Sequence, residues 1–162
     1  MAELTQLEEK LAEVMGLAQA ARDTTAKVGR LVNDREVKEA LGQMREEAAE
    51  TAKRCEDVAG RLDGRKSAIK SKARETKTEA SEMRDTYLGD DADGLDGMEF
   101  MTMAEAGEAI HVEILGAMGE NAGDRRIQEL VAWARPIQER HVHQTHDAAL
   151  KLARAEDPSE TS

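Results

Sequence analysis

Over the first sixty residues, apolar side chains recur at alternating spacings of three and four. The first run is Leu4, Leu7, Leu11, Val14, Ala18, Ala21, Thr25, Val28 and Val32. The second is Val37, Leu41, Met44, Ala48, Thr51, Cys55, Val58 and Leu62. That period lines one face of an α-helix and matches no strand. A sustained alternation of β-branched residues and an Asn-Gly hairpin turn are both missing. The chain therefore reads as all-α. With 35% charged residues, 40% apolar residues and only 2% aromatics, its core must be built from Leu, Val, Ile, Met and Ala. Such thin side chains let helices approach closely but bury little area per contact. A homodimer, which would add to that area, is expected.

Local signals divide the chain. Thr5 and Glu8 form a capping box for a helix over 5–32, within which Gly16 and Gly29 read as tolerated interruptions. Asn33 and Asp34 end that helix and cap a second one running to about Leu62. So short a connection implies an antiparallel hairpin. Gly60 and Gly64 bracket a break. Residues 65–88 carry only a narrow apolar stripe, which suits a peripheral crossover helix. The acidic run Gly89–Gly97 looks like a calcium loop in composition, but its twelfth position, counted from Asp90, is Met101 and not a glutamate. A fourth helix, capped by Asp96 with Glu99, is expected to end at Gly119–Gly123. A fifth runs from about Asp124 to Arg154, with Pro136 removing one internal bond. One domain over 1–155 and a disordered tail over 156–162 follow.

The net charge of −11 argues against nucleic acid as a partner. No apolar run approaches bilayer-spanning length, so no membrane association is expected. The N-terminus lacks a basic region followed by an apolar core, and with the single Cys55 this makes the cytoplasm the expected compartment. Cys55 lies on an apolar seam, where a thiol is inert packing.

Chemistry concentrates in the fourth and fifth helices. Glu108 and His111 fall in the middle of an apolar stripe with Met101, Ala104, Leu115 and Met118. Burying a carboxylate and an imidazole is costly unless something pairs with them. A metal ion shared between helices is one solution, and Glu-x-x-His is a usual inward-facing unit for it. A Glu-His pair in a partly wet seam is the other. All four histidines lie late in the chain, at positions 111, 141, 143 and 146. Two arrangements are open on the fifth helix. Gln138 and His141 face inward, as the helical wheel favours, or Glu139, His143 and His146 form an edge site. His111 and His141 differ in depth from the intervening turn by about ten residues, or ~15 Å. Glu47 lies between Met44 and Thr51 on the wheel and either turns inward or is solvated. Glu8 already serves the first cap.

The order hairpin, crossover, hairpin resembles the ferritin-like superfamily, and more narrowly its small bacterial bundles associated with stress responses. The segments that carry the resemblance are Asp34-Arg-Glu-Val-Lys-Glu-Ala-Leu41, Ala106-Gly-Glu108-Ala-Ile-His111-Val-Glu-Ile-Leu-Gly116 and Gln138-Glu-Arg-His141. It implies an antiparallel four-helix bundle with an additional peripheral crossover helix. It also implies iron or manganese held by carboxylates and histidines, with oxidase or detoxifying activity; zinc is a further metal to consider. Carried over, the ligand positions are Glu8, Glu47, Glu108, His111 and His141. Met44 stands where a histidine could, and Gln138 stands where a carboxylate belongs unless Glu139 replaces it. One Glu-x-x-His unit is intact, so the implied site is incomplete. The alternative is a non-catalytic helical dimer acting in interaction or stress protection.

Overall fold

A computed structural model describes residues 3–161. It contains five helices: α1 (Gln6–Leu31), α2 (Arg35–Ala59), α3 (Lys66–Tyr87), α4 (Gly94–Ala122) and α5 (Arg125–Ala155). No strand occurs among the described residues. The Thr5–Glu8 capping box forms reciprocally, as the sequence predicts. Asp34 alone caps α2, accepting from the Val37 N–H.

One boundary of α4 differs from expectation. Asp93, not Asp96, is the N-cap, and Asp96 is the reciprocal partner three residues on. The helix thus gains an extra turn, because an aspartate at the third position returns the bond as well as a glutamate would. At its other end α4 stops within the expected Gly119–Gly123 stretch: it runs to Ala122 and ends at Gly123, whose φ of 63° is the left-handed cap.

The helices pair as α1 with α2 and α4 with α5, while α1 also packs on α4 and α2 on α5. α3 lies outside this set, mainly against α1, and buries only Ile69 and Ala73. Gly16 makes that contact possible. A Cβ built there would lie 2.4 Å from the Ala73 carbonyl oxygen and 2.8 Å from the Thr76 Cβ. Gly16 is thus a close-approach point and not merely a tolerated interruption, whereas Gly29 meets nothing. α5 continues through Pro136, which is exposed. Residues 156–161 are exposed and carry a turn in which Asp157 accepts from Ser159; Ser162 of the expected tail lies outside the described residues, as do Met1 and Ala2 of the N-terminus.

The core divides into two apolar clusters. One is built around Leu11, Met15, Ile69, Leu115 and Ile127. The other is built around Val28, Leu41, Met44, Met98 and Met101. Between them, α1, α2, α4 and α5 each pass through a stretch without large buried apolar side chains. α1 contributes Ala18, Ala21, Thr24 and Thr25, while α4 and α5 contribute Glu105, Glu108, Gln138 and His141, all buried. This polar midsection is where any chemistry inside the molecule must lie. No helix is long and apolar enough to cross a membrane.

Candidate functional site

His141 is the hub of the midsection. Its ring is 97% buried, since its side chain is only 3% exposed, and both nitrogens face carboxylates. Nδ1 lies 3.3 Å from Oε2 of Glu105 on α4, and Nε2 lies 3.2 Å from Oε1 of Glu47 on α2. Burial works against charge on the ring, but the bonds and charge of Glu105, then of Glu47, outweigh it. The pKa is held above the ordinary histidine value, and the ring stands between two carboxylates with Nε2 within hydrogen-bond distance of Glu47. Glu47 is tied further to Arg140, which donates through Nη1 at 2.9 Å and through Nη2 to the other oxygen. That guanidinium, with His141 behind it, overcomes burial and keeps Glu47 below the usual glutamate range. Gln138 donates to Oε2 of Glu105 at 2.5 Å and to the Glu105 carbonyl at 3.2 Å. Thr145 and Thr51 spend their hydroxyls on backbone carbonyls one turn back.

Glu108 sits one turn after Glu105 and is only 8% exposed. No donor among the described residues lies within hydrogen-bond distance of its carboxyl group. Burial, reinforced by the negative charge of Glu105, pushes its pKa well above the usual glutamate value. Glu47 and Glu105 thus each face a basic partner, whereas Glu108 faces none.

Glu108 also lines a groove of about 490 Å³ bounded by α1, α3 and α4. Its floor is Ala20, Ala21 and Thr24, and its walls are Ala80, Met83 and Tyr87 on one side and Met103 and Gly107 on the other. Phe100 packs on Tyr87 with ring centroids 5.4 Å apart at one end.

The residues expected to hold metal are only partly brought together. Glu47, Glu108 and His141 reach the midsection. His111 does not join them: its side chain is a third exposed, and Nδ1 lies 3.2 Å from Lys10 Nζ and 3.3 Å from Glu13 Oε2. Burial and the adjacent Lys10 lower its pKa, against the pull of Glu13. The stripe on α4 is wide, so its two edges serve different neighbours. The edge at His111 faces α1, and the edge at Glu105 faces α5. Glu8 stays at the end of α1, held by its cap and by Arg65. Glu139, His143 and His146 are exposed, and His146 contacts only Asp147.

Glu105 is the residue that sequence reasoning missed. A signal was present. Glu105 lies eighteen residues before Gly123 and His141 eighteen after it, so two antiparallel helices turning at that glycine bring them to one level. His111 is too near the turn to be the partner.

Among the described residues, no group of three or more His, Cys, Asp or Glu side chains forms a ready-made metal site. The geometry gives a reason: the imidazole spans its two carboxylates, so their oxygens lie on opposite sides of the ring. On the Nδ1 side Glu105 meets His141, and Glu108 stands one turn further along α4 beside Glu105. No family model, no curated protein and no solved structure matches this chain.

Proposed function

We propose that this protein is a metal-binding helical bundle of the ferritin-like kind, with α3 as the crossover helix and a single reduced site in the midsection. His141 Nδ1, Glu105 and Glu108 would hold the ion. Glu47 would stand behind His141, accepting from Nε2–H and fixing the ring, the usual outer support of a metal-binding histidine. Iron or manganese is the expected metal, with zinc also suited to one imidazole and two carboxylates. A bound iron or manganese would supply redox chemistry toward oxygen or peroxide. α1 offers only alanine and threonine at this level, which is why a two-metal complement is not proposed.

The observation that carries this reading is Glu108, a buried carboxyl group with no donor beside a second carboxylate. Such a group is costly to keep unless a cation repays it. Binding would displace the Glu108 proton and the Nδ1 proton, so affinity should rise with pH by up to about tenfold per unit for each proton released.

The test is thermal denaturation with Mn²⁺, Zn²⁺ or, without oxygen, Fe²⁺. Stabilisation of about 2.7 kcal/mol is expected at a hundredfold excess over Kd. It should vanish in Glu105→Ala, Glu108→Ala and His141→Ala and survive in His111→Ala. The reading fails if no metal stabilises the protein, or if the stabilisation persists without Glu108.

A second reading is favoured by a different observation. Met103, Ile110 and Ile114 form an exposed stripe along the outer face of α4, of the kind that marks a protein contact. A helical dimer joined there would need no metal. Sedimentation of Ile110→Glu against the parent chain decides it, a monomeric parent excluding the dimer.

A further inference from the structure

We propose that the groove between α1, α3 and α4 binds a slender aliphatic amine, its ammonium head meeting Glu108 and its chain lying between Met83 and Met103. This goes beyond metal binding and does not rest on it, because the amine meets Glu108 and leaves His141 in place.

Three properties of the groove select this class of ligand. The first is size: it encloses about 490 Å³, within the range of small-molecule sites. Along α4 it runs from Phe100 to His111, or ~16 Å at 1.5 Å per residue. That length suits an extended unbranched chain. The second is lining. Ala21 forms part of the floor, Met83 and Tyr87 one wall, and Met103 the other. Met83 and Met103 are 68% and 53% exposed, so two flexible thioether chains stand free at the rim and can fold over an aliphatic guest.

The third property is charge. Glu108 is the midsection carboxyl group left without a cation after Arg140 has paired with Glu47 and His141 has bridged Glu47 and Glu105. A group 92% buried, unpartnered and lining an apolar groove asks for a donor carried by a largely apolar molecule. An ammonium supplies both the donors and the missing charge. A fatty acid would bring a further negative charge beside Glu105 and Glu108. Lys10 is already engaged with Glu13 and His111, and Lys77 with Asp23.

Gly107 makes the idea testable without damage to the fold. It lines the groove, and a Cβ built there meets nothing within 4 Å. Gly107→Leu therefore fills the groove while improving the helix. The experiment is isothermal titration of the full chain with n-octylammonium, 1-octanol and octanoate. Octylammonium is expected to bind tightest, its ammonium head meeting Glu108. Glu108→Gln should weaken it about tenfold or more and leave octanol unchanged. Gly107→Leu should abolish binding of both while raising the melting temperature. If that variant does not fold, Ala80→Leu fills the same groove from α3 and gives the same expected loss.

Failure here and failure of metal binding are separable. His141→Gln removes the metal site and should leave octylammonium binding intact, whereas Gly107→Leu should do the reverse. The proposal is overturned if octylammonium does not bind, if octanoate binds as well as it does, or if either groove-filling variant binds undiminished.

Discussion

Replacing Glu108 by glutamine isolates one proton. The substitution keeps the shape of the side chain and removes its ionisation. Burial and the adjacent Glu105 hold the folded pKa of Glu108 well above its ordinary value of about 4.5. Below that ordinary value, folded and unfolded chains both keep the proton, and the group adds nothing to the pH dependence. Above it, the unfolded chain releases the proton while the folded chain retains it. Stability then falls by about 1.4 kcal/mol per pH unit until the folded group also ionises. Neighbouring titrations are common to parent and variant. Glu47, with its pKa lowered, has finished contributing above the ordinary glutamate value. His141, with its pKa raised, begins to cost stability only above about 6.5. His111, with its pKa lowered, adds stability with rising pH below about 6.5 in both proteins, so between roughly pH 5 and 6.5 the difference in slope between parent and variant belongs to Glu108. Urea unfolding of both proteins across this window should show the variant gaining on its parent by about 1.4 kcal/mol per unit. For a chain of this length that is about 3–6 °C in Tm per unit. At pH 5 the two should be close, since a protonated carboxyl group and an amide are similar in size and polarity. Parallel curves would show that Glu108 titrates normally in the folded chain. The metal site proposed on that carboxyl group would then lose its main support.

His141→Leu should cost about 3–5 kcal/mol at neutral pH, because it leaves Glu47 and Glu105 facing a buried gap without their shared cation. In the parent, that contribution is complete below pH 6.5 and is lost as pH rises through the raised folded pKa; denaturant titration from pH 6 to 9 reads both effects. Gly16→Ala should destabilise by about 1–3 kcal/mol, since its methyl group would meet the Ala73 carbonyl. Gly29→Ala, which meets nothing, should stabilise by about 1 kcal/mol; chemical denaturation of the pair gives opposite signs if α3 docks where described. Burial pushes the Cys55 thiol up to about 12, so a thiol reagent at pH 8 should label it only as fast as the protein unfolds.

Most of the helix plan was legible because it rests on local rules. A three–four repeat fixes a helix and its inward face, and Thr5 and Asp34 announce their caps in sequence. Where the reading slipped, the deciding contact came from elsewhere in the chain. Gly16 is indistinguishable from Gly29 in a one-dimensional pattern. What separates them is α3, nearly sixty residues on, crossing at one of the two. The cap of α4 moved from Asp96 to Asp93 for a local reason, since two aspartates three apart each offer a cap and only one can be outermost.

The site shows the same division with a larger consequence. A helical wheel established that Glu108 lies on a buried stripe, and it does. The wheel cannot say which neighbour each edge of that stripe faces. Choosing His111 as partner followed the familiar Glu-x-x-His spacing, whereas the opposite step along the helix leads to Glu105, the residue that meets His141. Spacing along one helix states what side chains can share a face. Depth from the turn states what they can touch. Glu105 and His141 agree in depth, and Lys10 and Glu13 claim His111 because α1, too, carries polar groups at that level. Combining the two rules would have produced the hub from sequence. Neither rule would have produced the groove beside it, which lies where α3 rests on α1 at Gly16 and α1's small side chains Ala20, Ala21 and Thr24 line the space between α3 and α4. Glu108 matters because it stands at that boundary, inside the polar midsection by its neighbours and at the groove by its exposure. A cation arriving from outside would reach this carboxyl group without first breaking the pair that His141 holds with Glu47.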